Sequence, residues 1–283
     1  MNKENDMQQQ IEQLQETNKQ LLKQIDDLNK KLVESETFKS HFLSNVTNEI
    51  INPFASVMGL SHQIMELKKG DLQKAAGLAE LIFAEAATLD FQLHNIFMAA
   101  RLEAGEEKPE LSEINLRELV EEMVGKIKHE ADKKRETFRL NIDSVAVSVV
   151  SDREKLGLIL LNLLSNAVKF SGSGKNVIVR VQLKAGNLTI EIEDEGMGMT
   201  KEEIERIFDR FHRSDTVIQS ITPGSGLGLA VVEGLLFVLN GKADIDSLPG
   251  KGTIVRIFLP EGNPENVELD DELFIDNHTE ESF

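Results

Sequence analysis

The chain has 283 residues, 40% of them apolar, with 31 basic and 49 acidic side chains and a formal charge of −18. That length can bury one or two cores with room for a further helical part, while the charge argues against nucleic acid or an anionic membrane as a main partner. Without cysteine there is no disulfide framework and no thiolate metal site, and no apolar run reaches the roughly 18 residues of a membrane span.

The N-terminus is polar rather than signal-like, so the chain reads as a soluble, cytoplasmic protein. Residues 1–37 are rich in Gln, Asn, Lys and Glu. Ile11, Leu14, Leu21, Ile25, Leu28 and Leu32 follow alternating three- and four-residue steps, with Asn18 at a core position. This is a heptad seam, and one core Asn fixes register and favours two strands.

From Phe38 to Leu67 the helical pattern continues through Phe42, Leu43, Val46, Ile50, Phe54, Val57, Leu60 and Ile64. Lys68-Lys-Gly70-Asp71 breaks it, and a second apolar helix is predicted from about Leu72 to Leu102. Two long amphipathic helices joined by a short turn need a partner for their apolar face. A two-fold dimer making a four-helix bundle supplies it.

Gly105-Glu-Glu-Lys-Pro-Glu reads as a linker. After it the pattern alternates in the manner of a mixed α/β layer. Helices are predicted at Leu116–Lys133, Arg153–Phe170, Lys201–Phe208 and Leu227–Leu239. Strands are predicted at Phe138–Ile142, Val145–Val150, Val177–Leu183, Leu188–Glu193, Lys242–Ser247 and Gly252–Leu259. The tail beyond Pro260 carries nine acidic residues, from Glu261 to Glu281, and no Lys or Arg, which predicts disorder. Leu273-Phe-Ile275 within it is a candidate docking segment.

Three separated motifs carry chemistry. In Asn162-Leu-Leu-Ser-Asn166-Ala-Val-Lys169, the two amides lie four apart on one helical face. Their carbonyl oxygens suit a hard cation such as Mg²⁺, which takes one or two protein ligands and keeps several waters, and Lys169 adds a positive charge nearby. Asp194-Glu-Gly196-Met-Gly198 ends a strand in a glycine turn. The carboxylate can accept a hydrogen bond from an exocyclic amine such as that of adenine, and the glycines let backbone pass close to a flat ring. Gly224-Ser225-Gly226-Leu227-Gly228-Leu229 leaves a polar loop and opens an apolar helix, whose free amide N–H groups attract phosphate. Other phosphate motifs fail: the glycines lack the GxGxxG spacing with a preceding strand, and Gly174-Lys175 has neither the first glycine nor the hydroxyl of a P-loop.

In this order the three motifs resemble the N, G1 and G2 boxes of the ATP-binding domain of sensor histidine kinases, in the superfamily that includes gyrase, Hsp90 and MutL. The hairpin resembles the family's dimerisation and phosphoacceptor domain. Its H box reads in outline Phe-Leu-Ala-Asn-Met-Ser-His-Glu-Leu-Arg-Thr-Pro-Leu, against Phe42-Leu-Ser-Asn-Val-Thr-Asn48-Glu49-Ile-Ile51-Asn52-Pro53-Phe54 here. Asn48 stands in place of the phosphorylated histidine and Ile51 in place of the usual basic residue. His41, His62 and His94 lack the flanking Glu and Pro and read as surface or interface histidines. Phe208-Asp-Arg210-Phe211-His-Arg213 resembles the F box, and Asp246-Ser-Leu-Pro-Gly250-Lys-Gly252-Thr the closing hairpin. The loop between Arg213 and Gly224 suits a mobile lid over a nucleotide.

The resemblance covers roughly residues 38–260 and implies an α+β protein. Residues 1–37 would form a coiled coil, 38–105 a helical hairpin that dimerises as a four-helix bundle, and 106–262 an α/β-sandwich ATP-binding domain of the GHKL type, followed by an acidic tail at 263–283. It further implies ATP and Mg²⁺ as cofactors. Asn166 would ligate the metal with support from Asn162, Lys169 and Arg213 would meet phosphate, Asp194 would read adenine, and Gly224 to Leu229 would wrap the phosphates. Gly196 and Gly198 would admit the ring. Implied partners are a second copy of the chain, a response-regulator receiver domain and a separate sensor protein.

Three functions compete on this reading: a kinase-type enzyme of a two-component phosphorelay, an inactive nucleotide-gated dimeric scaffold, and another ATPase of the superfamily, such as an anti-sigma serine kinase. The near-complete H box disfavours the third. An amide nitrogen, its lone pair delocalised into the carbonyl, is a very poor nucleophile, so Asn48 is expected to accept no phosphoryl group. Glu49 and Asn52 form the Glu-x-x-Asn run that this family associates with dephosphorylating the regulator, where an amide would orient water.

Overall fold

The computed structural model describes residues 18, 19, 21–23, 25, 50–68, 70–143, 148–184, 186–205, 207 and 227–262. The chain divides into two units, 1–52 and 53–283. In the first, every described residue is helical, and Leu21, Leu22 and Ile25 are exposed. The rest of the expected heptad seam, and the H box from Phe42 to Glu49, lie outside the described residues.

The second unit opens with a helix, α1 (residues 53–65), and a turn closed by the Asp71 N–H donating to Lys68 O at 3.2 Å. Helix α2 (Leu72–Ala104) follows and ends on Gly105 in the left-handed region. On these helices Phe54, Met58, Met65, Leu72, Phe83 and Phe97 are more than half exposed.

Beyond α2 come β1 (Ser112–Asn115), α3 (Leu116–Lys133), β2 (Thr137–Ile142), β3 (Ser148–Ser151), α4 (Arg153–Phe170), β4 (Asn176–Lys184) and β5 (Asn187–Asp194). Then α5 (Lys201–Glu205), α6 (Gly228–Val238), β6 (Lys242–Leu248) and β7 (Gly252–Pro260) complete the described part. The five-stranded sheet runs β2-β4-β5-β7-β6, with β2 and β4 parallel and the other pairs antiparallel. The short β1 pairs with β3 in a separate antiparallel ribbon. No strand is expected at 112–115 from local pattern, because four residues with one inward side chain, Ile114, carry no visible alternation. That pattern starts the next strand at Val145, whereas the ribbon strand begins at Ser148, and residues 144–147 lie outside the described set.

One face of the sheet is apolar. Val177, Val179, Val181, Leu188, Ile190, Ile192, Ile257 and Leu259 are at most 2% exposed, and they meet α3, α4 and α6 in one core. At roughly 1.5–3 kcal/mol per buried aliphatic side chain, this layer is the main fold-holding term. Helix α4 is its centre, burying Leu156, Ile159, Leu160, Leu163, Leu164 and Ala167. The core also takes Met98 from α2, with Phe91 and Leu102 packed against it.

Local chemistry starts the helices. Asn115 caps α3: its side-chain oxygen accepts from Glu118 N at 3.2 Å, and its Nδ2 donates to Glu118 Oε1 at 3.0 Å. Asp152 caps α4, accepting from Lys155 N at 2.9 Å. The sheet's other face carries an ion-pair ladder in which Arg180 meets Glu191 and Glu193, and Arg256 meets Glu191, Asp244 and Asp246.

The expected linker is tied down. Glu107, 2% exposed as a side chain, faces Lys155 Nζ at 3.2 Å and Arg101 Nε at 2.6 Å, and Glu110 N donates to Asp152 Oδ2 at 2.8 Å. Among the described residues no helix is long and apolar enough to cross a membrane.

Candidate functional site

Helix α4 and strand β5 end side by side, and backbone contacts join them. Ser171, the residue after α4, bridges to Gly196, and Met197 N donates to Phe170 O at 3.2 Å. A Cβ at Gly196 would lie 2.5 Å from Phe170 O and 2.6 Å from Asp194 Oδ1, so only glycine allows this approach. The β6–β7 turn closes over the same segment: Gly250 N donates to Met197 O at 2.6 Å, and Met199 N to Ser247 Oγ at 2.9 Å.

Asp194 is half-buried at the end of β5. Burial pushes its carboxyl up to about 6, although N–H donors from Gly196 and Thr253 pull the other way and Glu193 adds to the rise. It is therefore an acceptor ready for a donor at neutral pH and easily neutralised in mild acid.

Along α4, Asn166 and Lys169 are half-buried near the helix end, with Lys169 Nζ 5.2 Å from the Phe170 ring centre. Asn162, one turn earlier, is 4% exposed. Its Nδ2 donates to Asn95 Oδ1 at 2.7 Å and to Leu158 O at 2.9 Å. On its other side stands Gly228, where a Cβ would come 2.5 Å from Asn162 Oδ1. Helix α4 thus touches both glycine motifs, Gly196 at its end and Gly228 beside Asn162.

Leu227 is buried, and Gly228 and Leu229 are half-buried. Asn52 is exposed on a helical turn of the first unit. Asn48, Glu49, Arg213, Gly224, Ser225 and Gly226, with the expected lid, the F box and the acidic tail from residue 263, lie outside the described residues. His62 and His94 are exposed surface residues facing Glu66 and Asp90 one turn away, at 3.6 and 3.5 Å.

Among the described residues no three His, Asp or Glu side chains converge to hold a metal. A cation here would depend on amide oxygens, phosphate and water, a donor set that suits Mg²⁺.

Two residues at the site escape the sequence reading. Asn95 lies on the Phe91, Met98 and Leu102 stripe of α2, a polar residue at a core step of an apolar helix. Glu136 precedes β2 on the inward parity of Phe138, Leu140 and Ile142. It is 4% exposed, and neither carboxyl oxygen has a hydrogen-bond partner. Burial raises its pKa, Lys134 lowers it and Asp194 raises it further.

A mixed sheet covered on one face by three helices, with an amide-bearing helix beside an Asp–glycine turn, defines an α/β sandwich of the histidine-kinase ATP-binding type. Residues 151–263 match the family described as histidine kinase-, DNA gyrase B-, and HSP90-like ATPase. That match falls on the part of the chain that carries the site, and proteins the chain is similar to over a longer span are histidine kinases. The sensor-like histidine kinase SenX3 of Mycolicibacterium smegmatis is 29% identical over 226 residues, covering 80% of this chain and 58% of its own length. Sensor histidine kinase GacS of Pseudomonas protegens is 29% identical over 272 residues, covering 91% of this chain and 29% of its own. Among solved structures, Acinetobacter baumannii histidine kinase AdeS shares the fold with a TM-score of 0.54 at 21% identity, over 76% of this chain and 98% of that one. Full-length ShkA in complex with AMPPNP gives 0.56 at 21% identity, over 78% of this chain and 46% of that one. The chain spans about half or less of the length of the curated relatives it matches.

Proposed function

We propose that residues 106–262 bind ATP with Mg²⁺, and that the chain works as a dimer in two-component signalling on the phosphoryl group of a response-regulator receiver domain. The observation that carries the nucleotide reading is that α4 meets both glycine motifs, Gly196 at Phe170 and Ser171 and Gly228 at Asn162, although 66 residues separate Asn162 from Gly228. In this reading Asp194 accepts the exocyclic amine of adenine, Asn166 and Asn162 offer oxygens to the metal, and Lys169 and Arg213 meet phosphate. Gly196 and Gly198 admit the ring, and Gly224 to Leu229 wrap the phosphates with backbone N–H groups. The metal, when bound, would neutralise charge on the phosphate oxygens.

Dimerisation is supported by the exposed Phe54, Met58, Met65, Leu72, Phe83 and Phe97 on α1 and α2, an apolar load that a lone helical hairpin leaves in water. The coiled coil at 1–37 would extend the same two-fold pairing.

Asn48 favours a second reading, a nucleotide-gated scaffold or phosphatase without self-phosphorylation, because an amide nitrogen has no available lone pair. Asn52, exposed on its helix, would in this reading orient water at a docked regulator. Calorimetry of the chain with ATP and Mg²⁺ tests the first part: Asp194→Ala should weaken binding by about 1.5–3 kcal/mol, the range for a charge-assisted hydrogen bond, and unchanged affinity removes the assignment. For the second part, decay of a phosphorylated cognate regulator is followed with the wild type and with Asn52→Ala. Equal rates exclude a phosphatase role for Asn52.

A further inference from the structure

Asn95 is an amide where an apolar helix turns to the core. It is 6% exposed, flanked at helical spacing by Phe91, Met98 and Leu102. Burying an amide there costs stability unless its polar atoms are paired. They are paired in a directed chain: Asn95 Nδ2 donates to Phe91 O at 3.2 Å, and Asn95 Oδ1 accepts from Asn162 Nδ2 at 2.7 Å.

The consequence falls on Asn162. Its Nδ2 also donates to Leu158 O at 2.9 Å, and a carbonyl oxygen can only accept, so the nitrogen is fixed on that side. Both hydrogens of the Asn162 amide are spent, one inside α4 and one on α2. Its oxygen is held on the opposite side, against the first residue of α6, where Gly228 has no Cβ because one would stand 2.5 Å away. An apolar pair would fill this interface at less cost, since replacing both hydrogen-bonding partners can be nearly neutral. What it could not do is aim an oxygen.

A second contact seats the same helix. The Leu102 side chain lies over Gly234 of α6, where a Cβ would come 2.7 Å from Leu102 Cδ1. Helix α2 therefore rests on both elements that flank the proposed nucleotide site, touching α4 at Asn162 and α6 at Gly234.

The geometry points to Asn95 as a positioning residue of the nucleotide site: α2 supplies the acceptor that turns the Asn162 oxygen toward the start of α6, so metal–nucleotide binding and the seating of α2 are linked. This rests on the ATP reading above. Linkage is reciprocal, so whatever shifts α2 changes nucleotide affinity, and bound nucleotide in turn holds α2 down.

The test uses the full chain, with calorimetry of ATP in Mg²⁺ and in EDTA and hydrogen exchange across residues 91–102. Residues that orient a metal's ligands typically carry about 10- to 100-fold in affinity, and Asn95→Leu should lose that much in Mg²⁺ while binding in EDTA stays nearly unchanged. Asn95→Asp, which keeps an acceptor facing Asn162, should retain most of the Mg²⁺-dependent affinity. ATP with Mg²⁺ should slow exchange at 91–102 in the wild type and not in the leucine variant. Asn95→Ser, which withdraws the acceptor without adding apolar bulk, is read the same way if the leucine variant does not fold. Equal Mg²⁺-dependent affinity in a folded Leu or Ser variant overturns the proposal, as does an equal loss with and without Mg²⁺, which would mark a packing role alone. No binding to the wild type would remove the nucleotide reading itself, and this inference with it.

Discussion

Asp194 Oδ1 accepts the N–H of Gly196, two residues on, at 2.8 Å, yet its carboxyl titrates near 6 rather than at its ordinary 3.8. Desolvation outweighs two backbone donors. The folded state thus holds this proton more tightly than the unfolded chain does, so stability falls as pH rises from about 4 through about 6. Asp194→Asn should raise the Tm of the ligand-free protein at pH 7–8 and leave it nearly unchanged near pH 3, where both states are mostly protonated. Nucleotide affinity should run the other way, weakening as pH drops below 6, because a neutral carboxyl is a poorer acceptor for an amine. Thermal melts across pH 3–8 and calorimetry across pH 4–8 read both.

Glu136 places a carboxyl on the helix-facing side of the sheet with neither oxygen paired. An unsatisfied buried polar group costs about 1–3 kcal/mol, more when charged. Glu136→Leu should therefore stabilise the protein by about that much at neutral pH, read as a higher urea midpoint at constant m-value. Since burial raises this pKa, the gain should shrink as pH falls and the carboxyl is neutralised in the folded state.

Lys155 sits among Asp152 Oδ2 at 2.8 Å and Glu107 Oε2 at 3.2 Å, all three side chains at most 5% exposed. Its two partners raise its pKa against the opposing pull of desolvation. Removing one member of a buried ion pair typically costs about 3–5 kcal/mol because the other charge is stranded. Lys155→Met should lose up to that much in denaturant melts, since Asp152 loses its cation while Glu107 keeps Arg101. The double variant with Glu107→Gln should recover part of the loss.

Asn48→His is expected to restore an acid-labile, base-stable label on this chain from γ-labelled ATP, with no label on the Asn48 protein. Label on the unaltered chain would contradict the inertness of an amide nitrogen.

A homodimer by light scattering at tens of micromolar is expected from the apolar side chains that α1 and α2 expose. Replacing Phe83, 77% exposed, and Phe97, 64% exposed, with Glu should shift the mass to the monomer without unfolding the sheet, since neither belongs to its core.

Much of the fold follows from local pattern. The 3.6-residue period of Leu156, Ile159, Leu160, Leu163 and Leu164 specifies α4, and the alternation of Val177, Val179 and Val181 specifies β4, because burial on one face leaves one register. Capping residues Asn115 and Asp152 mark two helix starts. The three glycine- and amide-bearing motifs stand in the sequence as types and order, which was enough to name the residues.

Tertiary structure decided what those residues face. The sequence places Asn162 and Asn166 on one helical face, four residues apart, but not that Asn162 is buried against a helix 67 positions earlier while Asn166 is half-exposed. Hydrogen bonding between distant segments leaves no periodic trace, since one polar residue in an apolar stripe looks the same paired or unpaired. Glu136 shows the same limit. Its inward parity is legible only once the start of β2 is known, and its burial without a partner only in the folded chain.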